Sequence, residues 1–169
     1  NYVLRSASLG GHVEIIKLLL EKKEGNPGFY GELDTTAEDN EAIKMASKNG
    51  HVEVVKLLLA KKEENPEMHG GIDPAAGTNF PVLWAAWEGR LEVVKFLLAK
   101  KEENPDLYRE IDPAANNNYA IKFAAKGGHI DVVKFLLAKK SENPELYKNI
   151  DPAASSNLAI VWASGNGHV

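Results

Sequence analysis

The residues with the chemistry to act recur at a fixed step. His12, His51, His129 and His168 sit at multiples of 39 residues, and imidazole is both a common metal ligand and the side chain that titrates nearest neutral pH. Stacked helices lie ~8 to 10 Å apart, too far for two such rings to share a zinc with bonds of ~2 Å, so a structural role is expected of them. The pairs Glu63-Glu64 and Glu102-Glu103 have the composition of a general acid and base. Both follow Lys-Lys in a polar stretch, and they read as a solvated charge run. Lys22-Lys23, Lys61-Lys62, Lys100-Lys101 and Lys139-Lys140 could form a basic ladder for phosphates. Acidic residues alternate with them, and the whole chain has 24 Asp plus Glu against 20 Lys plus Arg, net −4, so nucleic acid is not an expected partner.

No P-loop, dinucleotide fingerprint, His-Glu-x-x-His, EF-hand loop or Gly-x-Ser-x-Gly is present. Cysteine is absent, which removes disulfides, thiolate zinc sites and cysteine nucleophiles. The chain is therefore expected to be no enzyme, with no cofactor, metal or small-molecule ligand. No apolar run approaches the ~18 residues of a membrane span, and Asn1 to Ser8 lack the pattern of an export signal. No membrane partner is expected. An intracellular location is, with the cytoplasm first and a host cell or virus particle as other settings.

The elements that must position these residues are repeats. Gly-His-Val-Glu at Gly11 and Gly50, Gly-Arg-Leu-Glu at Gly89, Gly-His-Ile-Asp at Gly128 and Gly-His-Val at Gly167 are each 39 residues apart. Asn26-Pro27 and its equivalents at Asn65, Asn104 and Asn143, the Asp34 column and the Asn40 column keep the same register. The units are 1–39, 40–78, 79–117 and 118–156, with a partial fifth at 157–169. A fixed period of this size signals a solenoid.

Within the unit from Asn118, Ile121, Ala124 and Ala125 have the spacing of a short first helix, and Gly127-Gly128 ends it. A second helix starts near His129, with Val132, Val133, Leu136 and Leu137 as its apolar face and lysines at its C-terminal end. Asn143-Pro144-Glu145 has the order of an N-cap followed by proline at the first helical position, so a short helical turn is expected there. Asp151-Pro152 then forces a turn or extended segment into the next unit.

Gly-His-x-Glu-Val-Val-Lys-x-Leu-Leu, preceded by a helix containing Ala-Ala or Ala-Ser, resembles the ankyrin repeat along the whole chain. The period is 39 rather than the usual 33. The family's Thr-Pro-Leu-His is replaced by Tyr2-Val-Leu-Arg, Glu41-Ala-Ile-Lys, Phe80-Pro-Val-Leu, Tyr119-Ala-Ile-Lys and Leu158-Ala-Ile-Val. The hydrogen bonds of that tetrapeptide are lost, and the fold is expected to lean on aliphatic packing. This variant is similar to arrays of large DNA viruses, protists and intracellular bacteria. The resemblance implies an all-α, ankyrin-type helix-pair solenoid with long inter-repeat connections, whose concave face holds a protein partner.

Columns that vary mark the expected partner surface. Tyr2, Glu41, Phe80, Tyr119 and Leu158 form one, Arg5, Lys44, Leu83, Lys122 and Val161 a second, and Leu9, Lys48, Trp87, Lys126 and Gly165 a third. The turns before the first helices vary too, with Gly77-Thr78 and Asn116-Asn117 among them. Trp87, Phe80, Leu83, Thr78, Lys44, Lys48, Asn116, Asn117, Tyr119, Lys122 and Lys126 are the expected contacts. Trp87 is expected to be exposed between Lys48 and Lys126, as a hot-spot anchor suited to an acidic segment with a bulky apolar residue. Trp84 and Trp162, which share a column with Ser6, Met45 and Phe123, are expected in the core.

The expected function is a non-catalytic protein interaction scaffold. The alternatives are an assembly element of a larger particle and the targeting arm of an enzyme complex such as a ubiquitin-ligase adaptor. The chain also reads as a segment of a longer protein, because Ile160 and Trp162 would lack a covering helix.

Overall fold

The computed structural model describes residues 2–30 and 33–167; His168 lies outside them. Every element among the described residues is a helix. First helices are α1 (Tyr2–Leu9), α3 (Ala37–Asn49), α6 (Ala76–Trp87), α9 (Ala115–Lys126) and α12 (Ala154–Gly165). Second helices are α2 (Val13–Gly25), α4 (Val52–Glu64), α7 (Leu91–Glu103) and α10 (Ile130–Glu142). The connections contain one-turn helices α5 (Pro66–His69), α8 (Pro105–Tyr108) and α11 (Pro144–Tyr147). None of these helices is long and apolar enough to cross a membrane.

Each second helix has an acid in its first turn and two lysines in its last, as Glu53, Lys61 and Lys62 in α4, which complements the helix dipole. Val54, Val55, Leu58 and Leu59 recur at helical spacing and are buried. The first helices meet this stripe with small residues, such as Ala85 and Ala86, so the helices approach closely. First helices pack on first helices (α1 on α3, α3 on α6, α6 on α9, α9 on α12) and second on second. One continuous core results, running from Leu4 and Ile16 through Val55, Leu97 and Ile121 to Leu136.

Each short helix forms because an asparagine caps it. Asn65, Asn104 and Asn143 accept through Oδ1 from the backbone N–H of Met68, Leu107 and Leu146 at 3.2 to 3.3 Å, with proline next in sequence.

Two features that the sequence pattern hides hold neighbouring repeats together. At the Gly-His turn, Gly11 has φ 71°, and a Cβ there would collide with the His51 ring of the next repeat. That ring fills the glycine's open face and donates through Nε2 to the Leu9 carbonyl at 2.9 Å. Arg90 takes the same place in the next turn, with Nε donating to the Lys48 carbonyl at 3.2 Å.

The second feature lies in the turns before the first helices. Three consecutive residues are left-handed: Glu38, Asp39 and Asn40; Gly77, Thr78 and Asn79; Asn116, Asn117 and Asn118; Ser155, Ser156 and Asn157. That conformation costs roughly 1 to 2 kcal/mol per residue with a Cβ, less for Asn and Asp. Each turn is stabilised through its third residue. Oδ1 of Asn40, Asn79 and Asn118 accepts from the backbone N–H of Asp73, Asp112 and Asp151 in the following repeat, at 2.9, 2.6 and 2.7 Å. The expected reliance on aliphatic packing is thus only half of the joint, because a buried amide link runs beside it.

Candidate protein-binding face

The first helices of the later repeats present aromatic rings on their outer side. Phe80, Trp84 and Trp87 follow the spacing i, i+4, i+7, which places them on one helix face, while the core positions Val82 and Ala85 point away from it. Phe80 stacks on Trp84 at 4.8 Å between centroids. Trp87 lies 5.1 Å from Phe123 and 5.8 Å from Tyr119. Tyr119 stacks on Phe123 at 3.9 Å, and Phe123 meets Trp162 at 5.2 Å. Trp87 is 40% exposed and the other five rings are half-buried. Burial pushes the Tyr119 hydroxyl pKa up.

Lys48 and Lys126 engage neighbouring rings of the row rather than the Trp87 ring itself. Lys48 Nζ sits 5.1 Å over the Trp84 ring of the next repeat, and Lys126 Nζ 5.0 Å over Trp162. The reason is geometric: a residue in this column reaches the ring column of the following repeat, as Trp87 reaches Phe123, and Lys126 also lies 5.4 Å from the Phe123 ring of its own repeat. Neither lysine is in an ion pair among the described residues. Such cation–π contacts contribute about 0.5 to 1 kcal/mol at exposed sites.

Three expected contacts are not on this surface. Leu83, Lys44 and Lys122 are buried, because their column points at the tip of a left-handed turn rather than at solvent. Lys44 Nζ pairs with Asp39 at 3.3 Å and Glu41 at 3.2 Å, and Lys122 Nζ donates to Ser155 Oγ at 3.0 Å. Leu83 fills the equivalent place with aliphatic volume. Thr78, Asn116 and Asn117 are exposed at the tips, where Asn116 Nδ2 donates to the Thr78 carbonyl at 3.4 Å and Asn117 Nδ2 to Ser155 Oγ at 2.8 Å. Trp84 and Trp162 belong to the half-buried ring row, not to the core. Trp162 is covered by Phe123 and Lys126, whereas Ile160 is 60% exposed. The i, i+4, i+7 spacing is the signal in the sequence that identifies the row.

The lysine and glutamate pairs form a different system at the ends of the second helices. Lys61, Lys100 and Lys139 each reach a glutamate one repeat back, Glu24, Glu63 and Glu102, at 3.0 Å. The hydroxyls of Tyr108 and Tyr147 donate to Glu63 at 2.7 Å and Glu102 at 2.9 Å. Burial and these carboxylates push both phenol pKa values well up. Burial opposes ionisation of Glu63, but the Tyr108 hydroxyl and Lys100 ammonium outweigh it and hold the carboxyl below its usual range. The second lysine of each pair turns inward onto carbonyls: Lys62 onto Gly70, Lys101 onto Arg109 and Ile111, Lys140 onto Ile150. Burial lowers the pKa of Lys62 and of Lys101. Glu63 and Glu102 remain exposed, as expected of solvated charge, and in addition act as joints between repeats.

The family described as "Ankyrin repeats (3 copies)" matches residues 1–70 and 82–169. No curated protein matches the sequence. Helix pairs stacked like on like, with glycine turns filled by a neighbour's histidine or arginine, are the physical form of that match. The chain belongs to the ankyrin-repeat family.

Proposed function

We propose that the chain is a non-catalytic, intracellular interaction module, one array of four 39-residue units and part of a fifth, that binds a protein through the concave face lined by its first helices. Ankyrin repeats are generally protein-interaction modules. The observation that carries the choice of face is the row of rings around the exposed Trp87 indole. Aromatic side chains in such a setting supply much of the affinity at interfaces. The contacts are Trp87, Phe80 and Tyr119, with Lys48, Lys126, Thr78, Asn116 and Asn117 around them. Leu83, Lys44 and Lys122 support the face from beneath.

Affinity capture with the purified array and with Trp87→Ala tests this reading. One saturable partner should bind at least about tenfold more weakly to the variant, as truncating a hot-spot tryptophan costs ~2 kcal/mol or more, while helicity is unchanged. Equal capture, or unfolding of Trp87→Ala, would show the indole to be a packing residue.

A further inference from the structure

The short helices carry a surface that shares no residue with the ring row. Phe29, Met68, Leu107 and Leu146 occupy one column, each two residues after the proline of an Asn-Pro pair. The cap fixes which way they point. Asparagine Oδ1 holds the backbone N–H of this residue, at 3.2 Å for Phe29 and Leu107, and the side chain of the next residue, Tyr108 or Tyr147, turns into the core. The apolar residue stays at the surface: Phe29 is 78% and Leu107 44% exposed, while Met68 and Leu146 are half-buried, Leu146 resting one side on the core. Clefts adjoin the row. One of about 400 Å³ runs between α8 and α11, with Pro105, Asn143 and Leu146 in its lining, and one of about 630 Å³ lies beside Phe29 and Leu18.

Charge on this edge has one dominant sign. Segment 61–73 holds Lys61 and Lys62 against Glu63, Glu64, Glu67 and Asp73, net −2; segment 100–112 is also net −2, segment 22–34 is net −1 and segment 139–151 is neutral. The lysines in these segments are already committed, the first of each pair to a carboxylate one repeat back and the second to buried carbonyls. Glu67, Asp106 and Glu145, each beside an apolar residue of the row, are exposed. Exposed Arg109 is paired with Glu110 at 3.0 Å, which leaves Lys148 as the main opposing charge at the fourth repeat.

We propose that this apolar row with its carboxylate flanks is a second docking strip, for a basic protein segment carrying apolar residues about 10 Å apart, the spacing of neighbouring stacked helices. Such a spacing is about three residues of a polyproline II chain at ~3.1 Å each, whose threefold repeat sets every third side chain on one face. The carboxylates steer the basic segment to the strip, and the apolar row supplies the contact area. The array thereby offers two faces of opposite character, a ring row with unpaired lysines and an acidic strip, to two different partners.

The test uses a labelled fifteen-residue peptide of repeating Lys-Lys-Leu and fluorescence anisotropy at low ionic strength. Wild type should bind it, and a Lys-Lys-Ser peptide at least about tenfold more weakly. Leu107→Ser, and separately the double variant Asp106→Asn with Glu145→Gln, should weaken the Lys-Lys-Leu complex by about tenfold or more, and Trp87→Ala should bind as wild type. Equal binding of the Lys-Lys-Ser peptide would reduce the strip to undirected charge and overturn the proposal. So would full affinity in Leu107→Ser, or loss of affinity in Trp87→Ala. If the double variant loses helicity, Leu107→Ser decides alone, since its side chain already faces solvent.

Discussion

Replacing His69 by Tyr should strengthen the joint between the first two repeats. In the later repeats this position is Tyr108 or Tyr147, whose hydroxyl reaches the preceding repeat's glutamate at 2.7 or 2.9 Å. His69 is fully buried and shorter. Its Nε2 stands 3.2 Å from Glu24 Oε1 but is not aligned for a hydrogen bond, and Nδ1 has no partner among the described residues. A buried unsatisfied polar group costs about 1 to 3 kcal/mol, and a hydrogen bond to a charged acceptor is worth about 1.5 to 3 kcal/mol. The larger ring brings an overpacking cost of up to about 1 to 3 kcal/mol. The backbone shape is already right, since φ at Gly70, Arg109 and Lys148 is −58°, −57° and −54°. A net gain of about 1 to 2 kcal/mol is expected by urea denaturation, with slower hydrogen exchange in α2 and α4. A cycle with Glu24→Gln separates causes: most of the gain should vanish in that background. The gain should also grow on acidification. Burial holds the His69 pKa below its ordinary value of 6.5, with Lys23 and Lys61 also lowering it and Glu24 opposing them. As pH falls below that ordinary value the unfolded chain therefore takes a proton that folded His69 refuses, and wild type loses stability that the variant keeps. A gain independent of both Glu24 and pH would refute this account.

Leu97→Ala should cost about 2 to 5 kcal/mol, with hydrogen exchange rising most in α4, α7 and α10; a uniform rise in every repeat would contradict nearest-neighbour stacking. Asn79→Ala removes the acceptor held at 2.6 Å by the Asp112 N–H and leaves a left-handed alanine. Thermal melting should show a loss of about 2 to 4 kcal/mol, larger than for Thr78→Ala, whose side chain is exposed; equal losses would place the stabilisation elsewhere.

Periodic columns of one residue type make the helix pairs, the capped short helix and the core legible in the amino-acid sequence. Val54, Val55, Leu58 and Leu59 announce their face by spacing alone. The candidate face is harder to read, because charge is an unsafe sign of exposure in this fold. Lys44 and Lys122 are charged and buried, since the tip of a left-handed turn supplies oxygen atoms to their ammonium groups. Spacing within a repeat says nothing about contacts that run between repeats. The Glu24–Lys61 and Glu63–Tyr108 pairs join residues 37 and 45 apart, and no local pattern encodes them. Three left-handed residues in a row are likewise invisible in Ser155-Ser156-Asn157, whose composition suits many turns.

The joints also fix how such a chain can change its length over evolutionary time. Between one repeat and the next, the amide link spans 33 residues, the Lys–Glu pair 37, the Gly-His clasp 42 and the Tyr–Glu pair 45. A residue inserted in a connection lies inside several of these spans at once, so it must bulge outward without moving any of the anchors. Duplicating or deleting a whole unit leaves every one of them intact. Duplication or deletion of a whole unit is therefore the length change that these joints oppose least, whereas a small insertion must bulge clear of the anchors to be absorbed as in an ordinary surface loop.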